Sequence, residues 1–157
     1  MHLSFINTRG QVGLDAPPIT VEVHLSAGLS AFKVVGLGES RSREIRSRVR
    51  AALISSHLKW PDFNITVNLT PAERVTSGTR FDLPIAVGLL LAFQQLPADA
   101  IEGKEFIGEL GLDGCLKPSR GALAAVLAAA RDGTTLCLAM ESSAEMANVE
   151  GSRLIAA

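Results

Sequence analysis

The sequence predicts a mixed α/β fold on a sheet that begins antiparallel. Three observations carry that prediction. The stretches "ITVEVHL" from Ile19 and "NITVNL" from Asn64 alternate apolar and polar residues, the period of two that a half-buried strand requires. Longer stretches repeat apolar residues at helical spacing. Hydrophobic residues make up 47% of the chain against 4% aromatics, and tyrosine is absent. Ala, Leu and Val must then fill the core, which suits layered α/β structure better than an aromatic-rich sandwich. A chain of 157 residues without repeats or linkers fits one domain with a proper core.

The elements follow in order. "LSFINTR" is a first strand. In "ITVEVHL", Ile19, Val21, Val23 and Leu25 form a buried face against Thr20, Glu22 and His24. "AFKVVGL" reads as the hairpin partner of that strand after a turn at Gly28. "SRSREIRSRVRAALISSHL" is a helix with Ser40 as N-cap and a buried stripe of Ile45, Val49, Ala52 and Ser56. "NITVNL" buries Ile65, Val67 and Leu69, and a polar loop leads to "RFDLPIAVGLLLAF", a helix apolar almost all round and so central. "EFIGELGLDGCLKP" is two short strands joined at Asp113-Gly114, a hairpin dipeptide. "RGALAAVLAAARDG" is a helix closed by Gly133, and "TTLCLAM" a strand. "SSAEMANV" is a short helix capped by Ser142 or Ser143, and "SRLIAA" a last strand running into Ala157. That open ending suggests a piece of a longer protein.

Several chemistries find no footing. Cys115 and Cys137 give neither a disulfide framework nor a zinc spacing, and His2, His24 and His57 lie far apart, so no metal site is expected. No signal peptide or membrane-length apolar run is present, and a soluble, reducing, cytoplasmic setting is expected. There is no phosphate-binding G-x-x-x-x-G-K-[ST] loop and no G-x-S-x-G elbow. Gly36 and Gly38 hint at a dinucleotide loop, but the third glycine position holds Arg41 and the strand before it reads as antiparallel, so a tight strand-to-helix turn is the expectation. The lysines are Lys33, Lys59, Lys104 and Lys117, and no Ser–Lys dyad is visible among them.

Two features remain. Residues 39–59 carry six Arg or Lys against two Glu, +4, while the remainder carries −5. Arg43, Arg46 and Arg50 fall at i, i+3 and i+7 on the face opposite the buried stripe, with Arg41 and Arg48 beside them. Such a stripe can track nucleic-acid phosphates, pair with an acidic face on a neighbouring subunit, or simply be solvated. No aromatic residue is interleaved with it; Trp60, the sole Trp, lies beyond the helix. The acidic partner is at hand, because residues 98–157 hold nine acids against five bases. The second feature is Asp82, at the mouth of the central helix. It reads as a helix cap paired with Arg80 or Arg74, or as a ligand or catalytic group.

"TVEVHLSAGLSAFKVVGL", "NITVNLTPAE", "RFDLPIAVGLLLA" and "FIGELGLDGCLKPSRGALAAVLAA", in that order, closely resemble the N-terminal domain of the ComM/YifB family, bacterial magnesium-chelatase-like AAA+ proteins, some named as ATP-dependent proteases. The resemblance covers essentially the whole chain. It implies a Lon-protease-like fold, related to the second domain of a small-ribosomal-subunit protein, as the first part of a longer chain. ATP and magnesium would belong to a downstream AAA+ module that assembles a homo-oligomeric ring, with no cofactor here. DNA is a possible partner, through recombination or transformation. In active Lon proteases a serine opens the central helix and a lysine lies in the later one. Asp82 stands at the serine's place and Leu123 near the lysine's, so the resemblance implies a domain without the catalytic pair. A peptidase using Ser77 or Thr79 as nucleophile, and a magnesium-chelatase-related subunit, are the alternatives.

Overall fold

A computed structural model describes residues 2–75, 79–146 and 148–157. Among these described residues, nine strands and four α-helices follow in chain order: β1 His2–Arg9, β2 Pro18–Ser26, β3 Ala31–Val35, α1 Glu39–Ser55, β4 Asn64–Thr70, α2 Asp82–Ala92, β5 Lys104–Phe106, β6 Glu109–Leu110, β7 Leu116–Lys117, α3 Ala122–Asp132, β8 Thr135–Leu138, α4 Met140–Met146 and β9 Leu154–Ala156. Seven strands form one mixed sheet in the order β3-β4-β2-β1-β5-β8-β9, and β6-β7 is a separate hairpin. The sheet does begin antiparallel: β1 pairs β2, and β2 pairs β4, both antiparallel, while β5, β8 and β9 add in parallel.

One pairing departs from the sequence reading. β3 is not the hairpin partner of β2; it lies parallel beside β4, with Val34 opposite Val67. Helix α1 therefore connects two parallel neighbours, as a crossover must. Gly36, at φ 104°, makes the turn between β3 and α1, and a Cβ there would meet the Leu69 carbonyl oxygen at 3.0 Å. The glycine pair thus opens a strand–helix–strand unit after all, but Arg41 still occupies the third glycine's place.

Strand alternation sorts the core into two layers. Ile6, Val21, Val23, Ile65, Val67, Phe106 and Cys137 join Ile45 and Val49 of α1 and the buried residues of α2 in one cluster. Leu136 and Leu138, pointing the other way from Cys137, pack with Ala125, Val126 and Ala129 of α3. Helices α1 and α2 cover one face of the sheet and α3 the opposite face at its β5–β8 end. Helix α2 sits very close to the sheet: a Cβ on Gly88 would meet Val23 at 2.8 Å, and Ser4 Oγ donates to the Gly88 carbonyl at 2.8 Å.

Three expected caps are corrected. Helix α1 starts from Gly38 rather than Ser40, and its buried stripe uses Ser42 and Leu53 while Ser56 is exposed beyond its end. Ser142 and Ser143 lie inside α4, whose first residue is Met140. Asp82 makes no hydrogen bond to the first turn of α2. Gly133, in the left-handed region at φ 73°, does close α3 as expected.

Candidate nucleic-acid interface and the Asp82 site

Asp82 is fully buried at the first turn of α2. Its partner is neither Arg80 nor Arg74 but Arg48 of α1, 34 residues earlier. Arg48 Nε donates to Oδ2 at 2.7 Å and its terminal nitrogen to Oδ1 at 3.1 Å, a two-pronged carboxylate grip. The Leu110 backbone N–H of β6 adds a third bond to Oδ2 at 3.1 Å. Asp82 is therefore the bolt between α1, α2 and the β6-β7 hairpin, not a cap. The first turn of α2 is pinned further by Leu83 N–H donating to Gly108 O at 3.1 Å and Gly108 N–H donating to Arg80 O at 3.0 Å.

Burial lifts the Asp82 carboxyl to about 6, while the Arg48 and Leu110 bonds pull it back down. Arg48 is held more firmly charged through its hydrogen bonds to Asp82. Arg80, beside it, takes another direction: it is 2% exposed and donates to the Gly10 carbonyl at 3.3 Å, to Gln11 Oε1 at 2.9 Å and to the Arg120 carbonyl. Burial without a carboxylate among those acceptors weakens its hold on the proton. Arg74 reaches the Pro18 carbonyl at 3.2 Å.

With three hydrogen bonds on its two oxygens and no exposure to solvent, the Asp82 carboxylate is out of a substrate's reach. Leu123, at the place the resemblance gave to the lysine, is 51% exposed on α3. Of the weak nucleophile alternatives, Thr79 is exposed in a 3-10 turn before α2, and Ser77 lies outside the described residues.

The arginines of α1 divide by their surroundings. Arg43 and Arg50 are exposed and Arg46 is half-buried. Arg46 pairs with Glu39 at 3.1 Å, a contact with the Glu39 side chain 70% exposed and so of little net strength. Arg50 places its guanidinium over the Trp60 ring, 5.5 Å from the centroid. Trp60 itself is fixed by Phe32 at 5.4 Å and by Phe93, edge-on, at 5.6 Å. So the face carrying Arg43, Arg46 and Arg50 does have an aromatic neighbour, which the linear distance between helix and tryptophan hid. Among the described residues no three His, Cys, Asp or Glu side chains group as metal ligands. None of the described helices is long and apolar enough to cross a membrane.

Residues 21–142 match the family described as subunit ChlI of Mg-chelatase. Over 146 residues the chain is 45% identical to the uncharacterized protein YifB of Salmonella typhimurium, covering 93% of this chain and 29% of that protein. Against YifB of Escherichia coli it is 42% identical over 96% of this chain and 30% of the relative. Against the competence protein ComM of Haemophilus influenzae it is 43% identical over 92% and 28%. The chain belongs to the ComM/YifB family of magnesium-chelatase-like proteins. It spans about three tenths of the length of these relatives.

Within this family member, sequence reasoning located Asp82 and the stripe of Arg43, Arg46 and Arg50 but missed Arg48 and Trp60 as their partners. Arg48 looked like one more member of a charge stripe. Only its side-chain exposure of 19% against 0% for Asp82 marks it out, and no local pattern carries that.

Proposed function

We propose that this chain is a non-catalytic domain that engages DNA through Arg43, Arg46 and Arg50, in a protein whose ATP hydrolysis belongs to a separate AAA+ module. The parent would be a cytoplasmic ring of identical subunits, with ATP and magnesium bound in that module. The observation that supports the non-catalytic half is the Arg48–Asp82–Leu110 lock, which ties up the residue at the place that the resemblance gives to the Lon nucleophile. The DNA half is supported by three guanidiniums spaced along one helix face, where the Arg46–Glu39 pair is exposed and weak. A relative bears the name competence protein, which fits a role in handling DNA.

The test is fluorescence anisotropy of labelled single-stranded, duplex and branched DNA titrated with this chain across a salt series. Binding that weakens with salt, and whose salt slope falls by about 2–3 when all three arginines become Ala, supports the reading. Binding that is absent at low salt, or indifferent to the triple substitution, sinks it. A second reading makes the same face a subunit contact, favoured by the excess of nine acids over five bases in residues 98–157. Sedimentation of this chain before and after the triple substitution separates the two, because only the interface reading predicts a change in mass.

A further inference from the structure

Between β3 and α1 lies a cavity of about 350 Å³ lined by Ser30, Phe32, Arg46, Ser47, Arg50 and Trp60. Its volume sits at the lower end of the roughly 300–1,000 Å³ typical of small-ligand sites. Its lining combines two kinds of group. Trp60 and Phe32 supply flat apolar surface, and Arg50 extends that surface because its guanidinium already lies over the indole. Arg46 and the hydroxyls of Ser30 and Ser47 supply charge and hydrogen-bond donors at the same opening. A flat π-face beside an anion suits this combination; an apolar ligand would leave the arginines desolvated, and a simple anion would leave the rings unused.

We infer that this cavity receives one unpaired nucleobase together with its phosphate, so that Trp60 and Arg50 make the domain prefer single-stranded over duplex DNA. The inference rests on the DNA reading above and adds the residue that sets strand preference. A base inside a duplex is already stacked on both faces and cannot enter, whereas a single strand can turn one base onto an aromatic or guanidinium platform. The platform is pre-formed: Phe93 holds the indole edge-on from the core side, at 5.6 Å and 74°, so little side-chain freedom is lost on binding. Arg46 becomes available to phosphate when its exposed partner Glu39 is displaced, a pair weak enough to yield. Arg43, further along the same helix face, takes the neighbouring phosphate.

Trp60 is the only tryptophan in the chain, so its fluorescence reports this cavity alone. The experiment titrates the chain with a thymidine oligonucleotide, a blunt duplex of equal length, and thymidine monophosphate, reading tryptophan emission and, for the labelled DNAs, anisotropy. The single strand is expected to quench the emission, the duplex to bind by anisotropy with no quenching, and the monophosphate to quench only at much higher concentration. Trp60→Ala should weaken single-strand binding roughly ten-fold and duplex binding by much less, so that the preference for the single strand falls. Trp60→Phe, which keeps an aromatic plane and protects against simple loss of packing, should restore most of that affinity.

A single strand that binds by anisotropy without changing the emission overturns the inference and leaves the arginine reading standing. The inference also falls if Trp60→Ala and Trp60→Phe weaken single-strand and duplex binding equally, or if the monophosphate quenches while the oligonucleotide does not. Binding of neither DNA removes the DNA reading, and this inference with it.

Discussion

Arg48 and Arg50 sit two residues apart on one helix and meet opposite fates. Arg48 turns inward over the end of α2 and closes on a carboxylate with no solvent exposure. Arg50 stays at the surface, over the face of an indole. What separates them is the helical rotation of about 200° between i and i+2, which sends neighbours in a charge run to different sides. A basic stripe is thus not one functional unit. Its members divide into those that hold the fold and those left at the surface, and the division is made by what lies across from each.

The largest effect expected from this contrast is on stability. Arg48→Met leaves a buried carboxylate with only the Leu110 N–H and should cost about 2–4 kcal/mol in urea unfolding, somewhat below a wholly buried pair because Arg48 keeps 19% of its side chain exposed. If Arg48→Met costs no more than Arg46→Ala, the inward and outward arginines are not different in kind and the contrast breaks.

The pH dependence sharpens it. Because burial raises the folded carboxyl of Asp82 from 3.8 to about 6, its contribution to stability is fully present below pH 3.8 and is lost as pH rises through 6. The groups facing it are Arg48 and Leu110 N–H, which pull the value down, and Glu109, which pushes it up. Relative to Asp82→Asn, whatever constant offset the amide introduces, the unsubstituted chain should lose about 3 kcal/mol between acid and neutral pH. A difference that moves the other way would mean that Arg48 outweighs burial and holds the carboxylate ionised throughout.

On the outward side, changing Arg43, Arg46 and Arg50 together to Ala should shift stability by only about 1 kcal/mol, most of it the lost Arg50–Trp60 contact, while DNA affinity falls by one to two orders of magnitude at low salt. Thermal melts and anisotropy on the same samples read the two effects separately. The smallest expected effect is none at all: Asp82→Ser puts a hydroxyl at the place that the resemblance gives to the Lon nucleophile but should give no cleavage of fluorescent casein, since Leu123 offers no proton acceptor. On the non-catalytic reading, Thr79→Ala and Ser77→Ala should leave casein hydrolysis at background; measurable hydrolysis that either change abolishes would revive the peptidase alternative.

The buried faces of β2 and β4 were legible because alternation is a local pattern: Ile19, Val21, Val23, Leu25, Ile65, Val67 and Leu69 are all fully or almost fully buried. The Asp113-Gly114 turn and the Gly133 helix end were legible for the same reason, since turn chemistry acts within a few residues, but the stretch read as two strands holds three, because β5 leaves the hairpin to pair with β1 and β8. The partner of β3 was not. Gly28 permits a hairpin, but β2 already gives one edge to β1 and the other to β4, so the next strand must take the free edge of β4 instead. Asp82 was read as a cap paired with Arg80 or Arg74, because a capping bond is local, whereas its partner Arg48 is 34 residues away.

By itself, then, the sequence determined the class of fold, the inward faces of its strands and the family. Each of these depends on periodicity or on residue identity at a position, which are properties of the chain alone. The tertiary structure decided which arginine is neutralised, which strand closes the edge of the sheet, and that Trp60 stands beneath Arg50. Those depend on side chains brought together across many residues, where burial strengthens a charge pair and fixes an aromatic plane, and no local pattern records what a residue will face.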